Sequence, residues 1–215
     1  MVVTAKICGI SDVAAMQTAT NNGASFVGFV FYPQSPRSIT PGTAAQLAAM
    51  APEGVTKVAL FVDPNNLLLS QVLGEVRLDI LQLHGDEAPG RCEEIRDLYD
   101  VPVMKAIKVE KLEDVEFAND YCDVVDWLMF DAKAPGSKPD ALPGGNAMAF
   151  DWTLLAGWVW PVPWMLAGGL NADNVATAVS RSGAEFVDVS SGVESAPGKK
   201  DPAEIIRFLG AVAKL

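Results

Sequence analysis

The chain has 215 residues, half of them hydrophobic and a fifth charged, enough to bury a full core and to exclude intrinsic disorder. Twenty-seven acidic side chains against sixteen basic ones give a formal charge of −11, and no concentrated basic patch offsets it, which argues against nucleic acid as a partner. His84 is the only histidine, so sites needing two or more, such as the common zinc hydrolase triads, are ruled out.

Taken in order, short apolar runs rich in β-branched residues recur at 5–8, 26–31, 57–62, 80–83, 103–107, 127–130, 164–167 and 186–189. Most are almost continuously apolar rather than alternating, the pattern of strands covered on both faces. Helical patterns lie between them. Residues 12–21 place Val13, Met16 and Gln17 on one face, and 91–98 carry Cys92, Ile95 and Leu98 at i, i+3 and i+6. Thr40-Pro41 sets a capping hydroxyl before a proline at the first helical position. Asp201-Pro202-Ala203-Glu204 repeats the device with a carboxylate at the third position. Asp63-Pro64 is expected to start a helix in the same way after the third strand. The uncharged stretch 152–172 is broken by Pro161, Pro163, Gly168 and Gly169. It reads as a helix end, a Trp/Pro-rich loop and a buried strand rather than a membrane span. Trp158, Trp160 and Trp164 precede the seventh strand rather than follow it, so packing on the barrel exterior is expected in place of an aromatic ligand cage.

Strands alternating with helices, undivided by any linker or composition shift, indicate an α/β protein, a single-domain (β/α)8 TIM barrel over 1–215. A doubly wound open sheet shares the alternation, but the even spacing of the units favours closure. Cys8, Cys92 and Cys122 are odd in number and far apart, with no C-x-x-C pair, against a disulfide framework or structural zinc site. A cytoplasmic location is expected. The opening MVVTAKICGISD has Lys6 interrupting its apolar run and no cleavage pattern, so neither a signal peptide nor a membrane partner is expected.

In such a barrel, chemistry sits at the C-terminal ends of the strands. Gly168-Gly169 after the seventh and Ser190-Ser191-Gly192 after the eighth put backbone N–H groups beside small hydroxyls, where barrels often bind phosphate. The plainer reading is that these glycines only supply tight turns. Arg37, in a Pro- and Ser-flanked loop, is either solvated or a fork for a substrate carboxylate. Cys8 is an inert core thiol unless Lys6 or a helix N-terminus stabilises its thiolate. Asp131, after an apolar run, either holds its proton above the reference value of about 3.9 and serves as an acid or caps the next loop. Asp126 lies before that run, on the opposite rim. His84 is an acid or base, or a hydrogen-bonding wall residue.

These segments, in order, resemble one family. KICGI at 6–10, GFVFY at 28–32, SPRSI at 35–39 and LQLHGDE at 81–87 are similar to phosphoribosylanthranilate isomerases. So are FDAK at 130–133, FDW at 150–152, LAGGLN at 166–171 and VDVSSGVE at 187–194. The likeness spans nearly the whole chain, and KICG, SPRS and VDVSSGVE are specific in combination. Ser11 stands where the family often has threonine, a minor chemical change. The resemblance implies a (β/α)8 barrel of tryptophan biosynthesis that isomerises N-(5-phosphoribosyl)anthranilate by an Amadori rearrangement, without metal or cofactor. It implies Cys8 as general base, Asp131 as general acid, and Arg37 on the anthranilate carboxylate. Gly168, Gly169, Ser190, Ser191 and Gly192 would hold the phosphate of this small-molecule phosphosugar substrate. Gln82, His84 and Asp188 are expected in the substrate site without fixed roles, Asp188 against a ribose hydroxyl. A thiol of ordinary value, about 8.5, is only a few per cent ionised at neutral pH, so a modest depression at Cys8 would help. The oligomer is expected to be a monomer or homodimer. Indole-3-glycerol-phosphate synthase would share the phosphate loops, but an N-terminal extension and catalytic lysines are expected of it. A non-catalytic phosphosugar-binding barrel would tolerate loss of Cys8 or Asp131, and both are present.

Overall fold

The computed structural model describes residues 2–133 and 149–215. Eight parallel strands close into a barrel in sequence order. They are β1 (Thr4–Cys8), β2 (Phe26–Val30), β3 (Thr56–Phe61), β4 (Ile80–Leu83), β5 (Val103–Val109), β6 (Trp127–Ala132), β7 (Trp164–Leu166) and β8 (Phe186–Val189). The seam pairs Lys6 of β1 with Asp188 of β8. Every predicted strand is present, β4 and β8 with the predicted ends and the others with ends shifted by no more than two residues. β5 and β6 each run two residues further because their last residues, Lys108–Val109 and Asp131–Ala132, stay in mutual register.

The helices are α1 (Val13–Asn21), α2 (Pro41–Ala48), α3 (Asn66–Glu75), α4 (Pro89–Tyr99), α5 (Leu112–Glu116), α6 (Val175–Ser182) and α7 (Pro202–Val212). Thr40 and Asp201 cap α2 and α7, each with proline at the first turn, as their sequences predict. Thr40→Ala removes an acceptor 3.1 Å from the Thr43 N–H and is expected to cost about 1 kcal/mol in urea unfolding. The expectation at Asp63 is corrected. Helix α3 begins later, capped by Asn65, whose side chain accepts from the Leu68 N–H at 2.9 Å. Asp63 instead adopts φ +45°, and its Oδ1 accepts from the Asp86 N–H at 2.8 Å. Between β6 and β7 the described chain holds a 3-10 turn, Trp152–Leu155, in place of a longer helix.

The barrel interior changes chemistry along its axis. Its floor is apolar: Phe26, Trp127 and Phe186 meet edge to face, beneath Val58, Met104 and Met129. Above them Lys6 and Gln82 are fully buried, and the mouth carries Cys8, His84 and Asp131. A second apolar cluster joins the outer strand faces to the helices, with Phe29, Phe61, Phe130 and Phe208 fully buried. Trp160 and Trp164 pack on Phe130 within it, at centroid distances of 5.3 and 5.7 Å, and Trp158 stacks on Trp160. Trp158, Trp160 and Trp164 therefore belong to the outer wall. No helix among the described residues is long and apolar enough to cross a membrane.

Candidate active site

The C-terminal mouth opens into a cleft. Cys8, Arg37, Gln82, His84, Asp131 and Asp188 all line it. Gly168 and Gly169, after β7, and Ser190 and Ser191, after the neighbouring β8, line the same cleft side by side. Gly192 lies behind that wall, where a Cβ would overlap the Leu170 carbonyl oxygen. Its role in the structure is therefore to let the loop after β8 seat against the loop after β7. A single 3-10 turn, Ser191–Val193, follows β8 at this point.

Cys8 ends β1 with its side chain inward, since alternate residues of a strand share a face. Gly28 on β2 makes room, because a Cβ there would stand 3.0 Å from the sulfur. The thiol is shut away from water, and burial pushes it above its ordinary range, with Asp188 adding to the effect. Lys6 and Lys200 work in the opposite direction without prevailing. The depression hoped for at Cys8 is thus absent from the free protein. Lys6 itself donates to Asp188 Oδ1 at 2.9 Å. Burial opposes its charge, but Asp188 and Cys8 outweigh burial and hold the ammonium above its usual range. The other two cysteines lie outside this cleft, and burial raises Cys92 to about 11.

Asp131 is the penultimate residue of β6 and lines the same cleft as Cys8. Its Oδ1 accepts from the Ala132 N–H at 2.9 Å, and its Oδ2 lies 3.0 Å from His84 Nε2. The second ring nitrogen of His84 is 2.9 Å from Gln82 Nε2, which also reaches the Met129 sulfur at 3.2 Å. Gln82, His84 and Asp131 therefore form one buried chain across β4 and β6, and Gln82 Oε1 has no hydrogen-bond partner among the described residues. The loop that follows His84 is fixed from below. Glu87 accepts from the Asp63 and Gly85 N–H groups at 2.8 and 3.1 Å and from Lys105 Nζ at 2.6 Å. Asp126 stands at the other end of β6, accepting from the Val103 N–H.

Arg37 is 6% exposed and already paired on one edge: Nε and Nη2 donate to the two oxygens of Glu194 at 2.7 and 2.9 Å. Glu194 opens a short hairpin of β9 (Glu194–Ala196) and β10 (Lys199–Lys200). Lys200 turns inward to donate to the Ser190 carbonyl at 2.9 Å, and Ser190 Oγ donates to the Cys8 carbonyl at 3.2 Å. Neither Glu194 nor Lys200 was expected in the site. Glu194 lies within a quoted motif, whereas adjacent Lys199 and Lys200 offer no sequence signal for which one points in.

The profile of the N-(5'phosphoribosyl)anthranilate (PRA) isomerase family matches residues 5–211. The chain belongs to this family. It is 56% identical over 211 residues to the N-(5'-phosphoribosyl)anthranilate isomerase of Paramagnetospirillum magneticum, covering 98% of this chain and 97% of that one. The phosphoribosylanthranilate isomerase crystal structure from Thermotoga maritima matches with a TM-score of 0.88 and 35% identity, over 99% of this chain and 100% of the other. A further isomerase structure, in complex with reduced 1-(o-carboxyphenylamino)-1-deoxyribulose 5-phosphate, matches with a TM-score of 0.84 and 33% identity. It covers 99% of this chain and 100% of that one. Within a PRA isomerase, one cleft bearing a thiol, a carboxyl group, a guanidinium and two small-residue loops has the parts for moving protons on an anionic sugar.

Proposed function

We propose that this cleft carries out the Amadori rearrangement of its family with Cys8 as general base and Asp131 as general acid. The substrate is N-(5-phosphoribosyl)anthranilate and the product 1-(2-carboxyphenylamino)-1-deoxyribulose 5-phosphate, a step of tryptophan biosynthesis. The observation that carries the assignment is that Cys8 and Asp131, from β1 and β6, line one cleft together with the Gly168-Gly169 and Ser190-Ser191 loops of the two strands between them.

Asp131 delivers its proton to the furanose oxygen while the anthranilate nitrogen pushes its lone pair toward C1. The C1–O bond breaks and an iminium forms. That cation acidifies the hydrogen on C2, which the Cys8 thiolate removes. The C–H electrons form the C1=C2 bond, the nitrogen regains its lone pair, and the resulting enolamine tautomerises to the ketone. The raised thiol suits this order, since the iminium is an opposite charge that appears beside Cys8 after ring opening and favours its ionised form. Arg37 binds the anthranilate carboxylate through the edge that Glu194 leaves open, and the amides of 168–169 and 190–191 take the phosphate. His84 and Gln82 orient Asp131, and Asp188 faces a ribose hydroxyl. The protein acts in the cytoplasm, in a single domain, as a monomer or homodimer.

The decisive experiment follows the fluorescence of phosphoribosylanthranilate, generated in situ, as pH is raised. Rapid decay is expected, with kcat/KM still climbing beyond the ordinary thiol value of about 8.5, because burial lifts Cys8 above it. No decay above background with folded protein defeats the reading. A plateau reached below pH 8 shows that Lys6 and Lys200 overcome burial at Cys8, and a profile unchanged in Cys8→Ser removes Cys8 as the base.

A further inference from the structure

Four donors converge on the carboxylate of Glu194. Besides Arg37 Nε and Nη2, Lys200 Nζ reaches Oε1 at 2.7 Å and the Gly198 N–H reaches Oε2 at 3.1 Å. The group is sealed, with side-chain exposures of 7% for Arg37, 3% for Glu194 and 0% for Lys200. Burial works against the Glu194 charge, yet Arg37 and Lys200 outweigh it and hold the carboxyl below its usual range. For Lys200 burial prevails, and its ammonium is pushed down. The hairpin also seats directly on the loop that carries Arg37, since a Cβ at Gly198 would overlap the Pro36 carbonyl oxygen.

Buried ion networks seldom repay their desolvation as stability alone, so this one calls for a second reason. Geometry supplies it. A guanidinium has two hydrogen-bonding edges that suit a carboxylate, and Glu194 occupies the Nε/Nη2 edge. The Nη1/Nη2 edge is left, with its direction fixed by the partner behind it. An arginine held by its own stem alone would sample many rotamers and lose that entropy on each binding event.

We infer that Glu194 is a positioning residue that sets substrate specificity. By clamping Arg37 it aims the free edge at the carboxylate carried on the aromatic amine, and so makes the enzyme select phosphoribosylamines that bear that carboxylate over those that lack it. This rests on the reading of Arg37 as the carboxylate-binding group.

The test compares kcat/KM for phosphoribosylanthranilate and for its aniline counterpart, identical but for the missing carboxylate. The wild-type preference is expected to be on the order of a hundredfold, the effect of a charge-assisted bidentate contact. Glu194→Gln is expected to reduce that preference about tenfold or more, mainly through KM for the carboxylate-bearing substrate. Arg37→Met is expected to abolish it. If Arg37→Met keeps the preference, Arg37 does not read the carboxylate at all. If Arg37→Met loses it while Glu194→Gln keeps it, the clamp is overturned and the role of Arg37 stands. Glu194→Asp, one methylene shorter, gives the same readout should Glu194→Gln fail to fold. Loss of preference in a variant with wild-type near-ultraviolet circular dichroism supports the clamp, and an unchanged preference defeats it.

Discussion

Cys8→Ser and Asp131→Asn are each expected to lower kcat by about 10²–10⁴, the usual contribution of a general base or acid. Serine keeps the shape of the site, with the space opposite Gly28 still filled, but its hydroxyl does not ionise in the working range. Asparagine keeps an acceptor for the Ala132 N–H and a contact with His84 while removing the transferable proton. Both variants are therefore expected to fold, which unfolding curves that match wild type would establish. Unchanged turnover in either one sinks the corresponding assignment. A paired loss that is much smaller than the product of the two single losses is expected in the double variant, because groups acting in one sequence of proton transfers are not additive.

The largest effect on stability is expected at Asp188. Asp188→Ala strands the Lys6 ammonium in the barrel, and breaking a buried pair in this way costs about 3–5 kcal/mol. Lys6→Met is expected to cost less. Asp188 borders the cleft and is 8% exposed, so water can solvate it, whereas Lys6 is fully enclosed at 0%. The double variant Lys6→Met/Asp188→Ala is expected to recover most of the loss, and urea unfolding of all three measures the coupling. The dependence on pH has a definite sign. Because Asp188 and Cys8 outweigh burial and raise the Lys6 value, its contribution is complete below the ordinary lysine value of about 10.4. It is lost as pH climbs through the raised value. Equal destabilisation in both single variants contradicts the burial argument.

The barrel and most of its mouth were legible in the sequence because strands covered on both faces leave near-continuous apolar runs. The residue at the end of each run, as with Cys8, or just after it, as with His84 and Asp131, then falls at the mouth. Local chemistry at Thr40 and Asp201 located two helix starts for the same reason, since a cap acts within three residues. Legibility ended where a contact crosses between loops. Asp63-Pro64 has the look of a helix start, but the Asp63 carboxylate is drawn to the Asp86 N–H, twenty-three positions away. Lys200 was invisible because β10 is two residues long and its register shifts between Lys199 and Lys200, leaving no alternation to read. Arg37 was read as a free fork, and only the folded hairpin reveals that Glu194 holds half of it. The direction in which Cys8 is shifted depends on how completely neighbouring strands seal it, a property of closure rather than of composition.

Lys6 and Asp188 are 182 positions apart, yet they meet on the two strands that join the ends of the sheet. The contact that counters the Lys6 charge and the surroundings that tune Cys8 therefore come into being only when the last strand is laid beside the first. During synthesis the cysteine is made almost at once, and it remains an ordinary thiol until nearly the whole polypeptide has emerged. Chemical competence and completion of the fold are one event, so a truncated or half-assembled chain has no partial enzyme to offer.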